Sequence, residues 1–156
     1  MKNKNIIITG ASRGLGSEAA IAFSKSGAKL VLIARTNEDL EAIRKKCKEP
    51  KKHLSITADL TDVRGIEKAV NEAKRFLTKI DCVLHTAGGG LGKRDPLIDL
   101  NDLILLFKLN VGAAAEINRL VLPDMIKRKN GNLVHVGSIA GKEAVGSVGY
   151  NTVKSA

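Results

Sequence analysis

A chain of 156 residues that is 44% hydrophobic and 27% charged has the composition of one folded domain with a real core. The formal net charge of +10 raises the possibility of nucleic acid, but only 3% of the residues are aromatic, which leaves little for base stacking, so no specific nucleic-acid partner is expected. No apolar run approaches the roughly 20 residues of a membrane helix, Ile6-Ile7-Ile8 is too short for a secretory leader, and Cys47 and Cys82 lack the spacing of a metal site or disulfide framework. These features predict a cytoplasmic protein without a metal.

A first strand is expected over Asn5–Thr9, followed by the glycine turn Thr9-Gly10-Ala11-Ser12-Arg13-Gly14-Leu15-Gly16 and a helix over Gly14–Ser26 that buries Leu15, Ala19, Ala22 and Phe23. Gly27 stops that helix. Lys29–Ala34 is a continuous apolar run, as in a strand covered on both faces. A second helix begins near Asn37 with Leu40, Ile43 and Cys47 on one side, and Pro50 ends it. Its basic end, Arg44-Lys45-Lys46 with Lys48, Lys51 and Lys52, reads as a solvated face that complements the helix dipole.

His53–Thr57 forms a short third strand. Val63, Ile66, Val70, Ala73 and Leu77 then recur at helical spacing, with Thr61 or Asp62 placed to cap the helix. Asp81–His85 is a fourth strand, in which Cys82 reads as a buried, inert thiol. A glycine-rich loop leads to a long helical region over Asp99–Lys129, kinked or restarted at Pro123. Asn132–Val136 is a fifth strand, and Tyr150–Ala156 begins a last helix. Strictly alternating strands and helices with buried strands predict an α/β fold, a doubly wound parallel sheet of Rossmann type.

Such sheets bind ligands beyond the carboxyl ends of their strands, where this chain keeps its unusual residues. Glycines at 10, 14 and 16 suit a backbone that bends sharply and lets a phosphate approach the start of a helix. Strand two ends in Arg35, with no acid until Glu38. A guanidinium there, with Arg13 as a second clamp, suits the 2′-phosphate of NADP(H) better than the ribose hydroxyls of NAD(H). The Asp59 carboxylate, at the end of strand three, is placed to accept the adenine amino group. Tyr150 and Lys154 lie one helical turn apart on one face. An ammonium beside a phenol stabilises phenolate and suits it to acid–base work near neutrality. Ser138, at the end of strand five, is placed to orient a substrate oxygen.

Taken together, Thr9–Gly16, Arg35, Asp59-Leu60, Ala87-Gly88, Asn110, Ser138 and Tyr150-Asn151-Thr152-Val153-Lys154 resemble the motifs of the short-chain dehydrogenase/reductase family, in the family's order and along almost the whole chain. The resemblance implies hydride transfer between NADP(H) and a small carbonyl or alcohol substrate. Tyr150 would be the acid or base, Lys154 its activator and a nicotinamide-ribose ligand, and Ser138 the substrate-positioning group. Asn110 would bend the long helix and hold a water of the proton relay. The cofactor would lie along Gly10, Ser12, Arg13, Gly14, Leu15, Gly16, Arg35, Asp59 and Leu60, then Thr86, Ala87, Gly88, Asn110, Tyr150 and Lys154.

There are departures from the pattern. His85-Thr86 stands where the family usually has two asparagines, and the interval from Ser138 to Tyr150 is one position shorter than is common. His85 and His135 occupy matching places on adjacent strands and read as a packed pair rather than metal ligands. The sequence stops two residues after Lys154, whereas family members continue through further strands and helices; on the order of 80–100 residues are expected to be absent. That leaves an apolar edge beside strand five. A complete form is expected to be a homo-oligomer, and this piece alone a weak and poorly stable catalyst. A truncated, non-catalytic nucleotide-binding module is the alternative.

Overall fold

In the computed structural model, which describes residues 1–156, five strands alternate with helices. The strands are β1 (Asn5–Thr9), β2 (Lys29–Ala34), β3 (Leu54–Thr57), β4 (Cys82–His85) and β5 (Asn132–His135). They form one parallel sheet in the order β3-β2-β1-β4-β5. The helices are α1 (Gly14–Lys25), α2 (Asn37–Lys46), α3 (Val63–Leu77), α4 (Leu100–Phe107), α5 (Ala113–Arg128) and α6 (Val148–Ser155). The chain winds from β1 outward to β3, returns to β4 at β1's other side and continues to β5. This is the expected doubly wound, Rossmann-like sheet, and its winding reverses between β1 and β4.

The central strands are apolar without alternation because both faces are covered. Ile6, Ile8, Leu30 and Leu32 pack with Ala20 of α1 and with Leu40 and Ile43 of α2. Ile7, Val31, Ile33 and Val83 pack against Ile66, Val70, Ala73 and Leu77 of α3 and against Ile117 and Val121 of α5. Each such aliphatic side chain contributes about 1.5–3 kcal/mol by leaving water. Cys47 and Cys82 are both buried, which pushes their thiols up and keeps them protonated and inert.

Helix α1 differs from its expected packing. Its buried face is Gly16, Ser17, Ala20 and Ser24, while Leu15 is 59% exposed, Ala22 is exposed, and Ala19 and Phe23 are only partly covered. The helix lies too close to the sheet for larger side chains. Ser17 and Ser24 are accommodated because their hydroxyls donate to the Gly14 and Ile21 carbonyls of the same helix, at 2.8 and 2.7 Å.

Other boundaries move for local reasons. Pro50 does not end α2, which stops at Lys46, but opens a short 3-10 turn over Pro50–Lys52. The long helical region is interrupted by a π-turn over Lys108–Gly112, and α5 runs through Pro123, an exposed position, rather than restarting there. Strand β5 is an edge strand, with Val134 44% exposed. No helix is long and apolar enough to cross a membrane.

The start of α3 is fixed by Asp62, whose carboxylate accepts from the Arg64 and Gly65 amides at 3.2 and 3.0 Å. Replacing Asp62 with alanine is expected to cost about 1 kcal/mol in urea denaturation, with Asp62→Asn recovering most of the loss.

Candidate functional site

The site begins where β1 turns into α1. Gly10 and Gly14 hold φ of +66° and +55°, which glycine tolerates without strain. A Cβ on Gly10 would lie 2.8 Å from the Ala87 backbone, and one on Gly16 would lie 2.5 Å from the Thr86 hydroxyl. The end of β4 therefore presses directly on the turn. Thr86 Oγ1 donates to the Thr9 carbonyl at 2.5 Å, and the Ala87 amide donates to Thr9 Oγ1 at 3.3 Å. Thr86 thus tethers β4 to β1 at the family's asparagine position.

The N-termini of the helices are not alike. Asp62 caps α3 and Asp99 caps α4, but α1 has neither a side-chain cap nor an acid in its first turn. Its first amides open instead onto a cleft of about 670 Å³. A helix N-terminus left open in this way favours an anion. The cleft gathers Gly10, Ser12, Arg13, Gly14 and Leu15 from the turn, Arg35 from the end of β2, Leu60 from beyond β3, and Thr86, Ala87 and Gly88 from beyond β4.

Of the residues expected in the cofactor site, five do not line this cleft: Asn110, Tyr150 and Lys154 line other spaces, and Gly16 and Asp59 are engaged locally. Gly16 lies buried beneath the turn, where it permits close packing. Asp59 is exposed, and its Oδ1 accepts from the amide and hydroxyl of Thr61 at 2.9 and 2.8 Å. These bonds, with the nearby Arg35 charge, hold the Asp59 carboxyl below its ordinary range. Its neighbours Ala58 and Leu60 form the cleft wall in its place.

Sequence reasoning did not identify Thr36, Asp39, Ala58, Leu109 or the Gly89–Gly92 run as lining residues. Thr36 directly follows Arg35, so its place at a strand end was legible. Its hydroxyl makes no capping bond to α2. Asp39, in the first turn of α2, and Leu109, in the π-turn, carried no such signal.

A second cavity of about 420 Å³ lies between the π-turn, α5, the ends of β4 and β5, and α6. Asn110 and Lys154 line it. Asn110 accepts from the Gly89 amide at 2.9 Å and donates to the carbonyls of Gly89 and Leu106 at 3.0 and 2.9 Å. It thereby braces the glycine loop. Lys154 Nζ donates to the Val136 carbonyl at 3.1 Å and ties α6 to the end of β5.

In the lining of the same cavity, buried His85 and exposed His135 stack with ring centroids 4.6 Å apart, as the matching strand positions suggested. Asn118 bridges them: its Oδ1 meets His85 Nε2 at 2.9 Å, and its Nδ2 meets His135 Nε2 at 3.2 Å. Burial lowers the pKa of His85 to about 4, so the ring is neutral at pH 7.

Tyr150 opens into a third chamber, of about 490 Å³. It is one helical turn from Lys154, yet the two line different cavities. Ser138 lines neither of these cavities nor the first cleft. Its Oγ accepts from the Ala140 amide at 3.2 Å, capping the 3-10 turn Ile139–Gly141. Gly90 and Gly92 belong to both the first cleft and the Tyr150 chamber, so the glycine loop is their common wall.

A family model described as short chain dehydrogenase matches residues 4–156. The chain belongs to the short-chain dehydrogenases. Among related sequences, mouse "Dehydrogenase/reductase SDR family member 7" is 37% identical over 96% of this chain and 46% of its own length. The Schizosaccharomyces pombe "NADP-dependent 3-hydroxy acid dehydrogenase" is 35% identical over 100% of this chain and 62% of its own. Among solved structures, a 7α-hydroxysteroid dehydrogenase complexed with NADH and 7-oxo glycochenodeoxycholic acid superimposes with a TM-score of 0.91 at 26% identity, over 99% of this chain and 61% of that one. This short-chain dehydrogenase sequence thus spans about half to two thirds of the length of such relatives.

The His85 environment predicts a pH dependence. With its pKa moved from 6.5 to about 4 in the folded state, the unfolded chain binds the extra proton first. The associated stability is complete above pH 6.5 and is lost as pH falls toward 4, on the order of 3 kcal/mol in all. His53, lowered by burial, acts in the same direction. Urea denaturation between pH 7 and 4.5 is therefore expected to show a shallower loss of stability for His85→Asn than for the native sequence.

Proposed function

We propose that this short-chain dehydrogenase interconverts a carbonyl and an alcohol using NADP(H), with Tyr150 as the acid and base. The observation that carries the reading is the glycine loop shared by two spaces. An uncapped helix and two arginines face one side of it, and a tyrosine faces the other.

The cleft fits a dinucleotide on its own chemistry. The amides of the first turn of α1 and the Ser12 hydroxyl would hold the pyrophosphate, with the bare glycines leaving room for close approach. Arg13 and Arg35 would clamp a 2′-phosphate, helped by the Thr36 hydroxyl. Ala58 and Leu60 would border the adenine, and Thr86, Ala87 and Gly88 would follow the cofactor toward Tyr150. The two arginines favour NADP(H) over NAD(H). The fission-yeast relative is NADP-dependent by name, whereas the hydroxysteroid dehydrogenase was complexed with NADH.

When bound, the dinucleotide supplies a hydride to a carbonyl carbon or takes one from an alcohol. In the reducing direction the Tyr150 hydroxyl gives its proton to the substrate oxygen, and the resulting phenolate is later reprotonated from solvent. One carbonyl, one NADPH and one proton thus yield one alcohol and one NADP⁺. Lys154, one helical turn from Tyr150, would stabilise the phenolate with its ammonium charge on leaving the Val136 carbonyl and would hold the nicotinamide ribose. Ser138, at the end of β5, would orient the substrate oxygen. Asn110 holds the loop over which cofactor and substrate meet.

The test is NADPH oxidation by the full-length protein across a panel of aldehydes and ketones. Tyr150→Phe is expected to lower kcat by about 10²–10⁴ while NADPH binding persists. NADPH binding with no carbonyl reduced anywhere in the panel would instead identify a non-catalytic nucleotide-binding module. Arg35→Asp is expected to move cofactor preference at least about tenfold toward NADH, and an unchanged ratio would remove the 2′-phosphate assignment.

A further inference from the structure

The chamber in front of Tyr150 has a charge of one sign. It is lined by eight residues: Gly90, Gly92, Lys93, Arg94, Val145, Gly146, Ser147 and Tyr150. The two formally charged ones are both cationic. The loop also contains an acid, Asp95, but Asp95 is outside the lining and its Oδ1 accepts from the Leu97 amide at 2.8 Å.

The placement of these cations is built into the backbone. The Lys93 amide donates to the Gly90 carbonyl at 2.8 Å, closing a tight turn whose central residues, Leu91 and Gly92, have φ of +50° and +77°. Glycine takes that conformation freely. A leucine does so only under strain, which the surroundings of a functional loop offset. Lys93 then pairs with Asp102 of α4 at 2.8 Å, which anchors the turn and keeps the ammonium charged. Gly90 abuts Tyr150 and Ser147: a Cβ there would be 3.8 and 4.0 Å from their side chains.

Lys93 is neutralised by its partner, but Arg94 is not. It forms none of the chain's ion pairs, and it is exposed at the chamber wall. Ser147, at the start of α6, makes no capping bond and leaves a hydroxyl free at the same wall. A planar guanidinium that forms no ion pair, sharing a chamber with an unbonded hydroxyl, matches two oxygens of one oxyanion.

We propose that Arg94, braced by the Lys93–Asp102 pair and assisted by Ser147, is the counter-ion for an oxyanion, carboxylate or phosphate, carried by the carbonyl substrate. This rests on the reading of Tyr150 as the proton donor to that substrate's carbonyl. Arg94 then selects anionic carbonyl compounds over their neutral analogues and holds them with the carbonyl toward Tyr150. The reaction remains carbonyl reduction by NADPH, and the oxyanion is unchanged by it.

The experiment compares matched substrates in the full-length protein with NADPH. One arm pairs 4-oxopentanoate and 5-oxohexanoate with their methyl esters; the other pairs dihydroxyacetone phosphate with dihydroxyacetone. The arm with the larger anionic preference identifies the oxyanion as carboxylate or phosphate. In that arm Arg94→Ala is expected to lower the ratio of kcat/KM for anionic over neutral substrate by about 10- to 100-fold, chiefly through KM. Arg94→Lys should restore part of it, and Arg94→Glu should reverse the preference. A ratio that is the same in wild type and Arg94→Ala, or a wild type that prefers the neutral partner in both arms, overturns the proposal.

Calorimetric binding of 4-oxopentanoate and of dihydroxyacetone phosphate, with and without NADP⁺, separates this site from the reaction. Loss of anion binding in Arg94→Ala supports the site even where no carbonyl is reduced, in which case it is the assignment of Tyr150 that falls. Anion binding that Arg94→Ala leaves intact overturns the site whatever the activity.

Discussion

The architecture depends on one close approach, the seating of the β1–α1 turn against the end of β4. Thr9 contributes at both of its oxygens, accepting from Thr86 Oγ1 at the carbonyl and from the Ala87 amide at the hydroxyl. There is no space for a side chain at Gly10 or Gly16. Because β1 and β4 are the strands between which the winding reverses, this contact holds the two halves of the sheet at the crevice where ligands of such folds are found. The small residues of α1 reflect the same constraint, since a helix starting from so tight a turn lies close to the sheet.

The two ends of the sheet are built differently. At the amino ends of the strands, Asp81 is buried and accepts from the Asn5 amide at 2.9 Å, while Lys79 and Arg128 approach its other oxygen at 3.5 and 3.8 Å. Arg128 also donates to the Ile80 carbonyl at 2.7 Å, and Lys74 pairs with Asp124 to join α3 to α5. At the carboxyl ends, uncharged hydrogen bonds and glycine loops replace such pairs: Thr86 reaches Thr9, Asn110 reaches from the π-turn to both polar groups of Gly89, and Asn118 joins His85 to His135. A cross-linked base under a loop-built rim gives a rigid platform with a surface that can fit a ligand.

Much of this was legible in the sequence because it rests on local rules. Uninterrupted apolar runs marked strands covered on both faces, helical spacing marked α3, and glycine spacing marked the turn. Asp62 as a cap, Arg35 at a strand end and the pairing of His85 with His135 were all readable from position along an element. The features that were not legible depend on how elements meet. Leu15 fits an amphipathic pattern yet faces outward, because the proximity of α1 to the sheet overrides periodicity. Pro123 reads as a kink or a restart, yet α5 continues through this exposed position. The i, i+4 spacing of Tyr150 and Lys154 is real, but the glycine loop and the π-turn lie on different sides of α6 and divide the two side chains between separate cavities.

The π-turn at Lys108–Gly112 also acts as a spacing device. A π-turn holds about one residue more than the α-helical turn it replaces, so the extra backbone unit is absorbed locally and α4 and α5 keep their faces toward the fold. Deleting one residue there would let α4 and α5 join as a plain α-helix with those faces little changed. What would be lost is the widened turn itself, and with it the reach of Asn110 to both polar groups of Gly89. The brace on the glycine loop is therefore set by the count of backbone units between two helices, a quantity that no substitution can alter and that a single-codon deletion would.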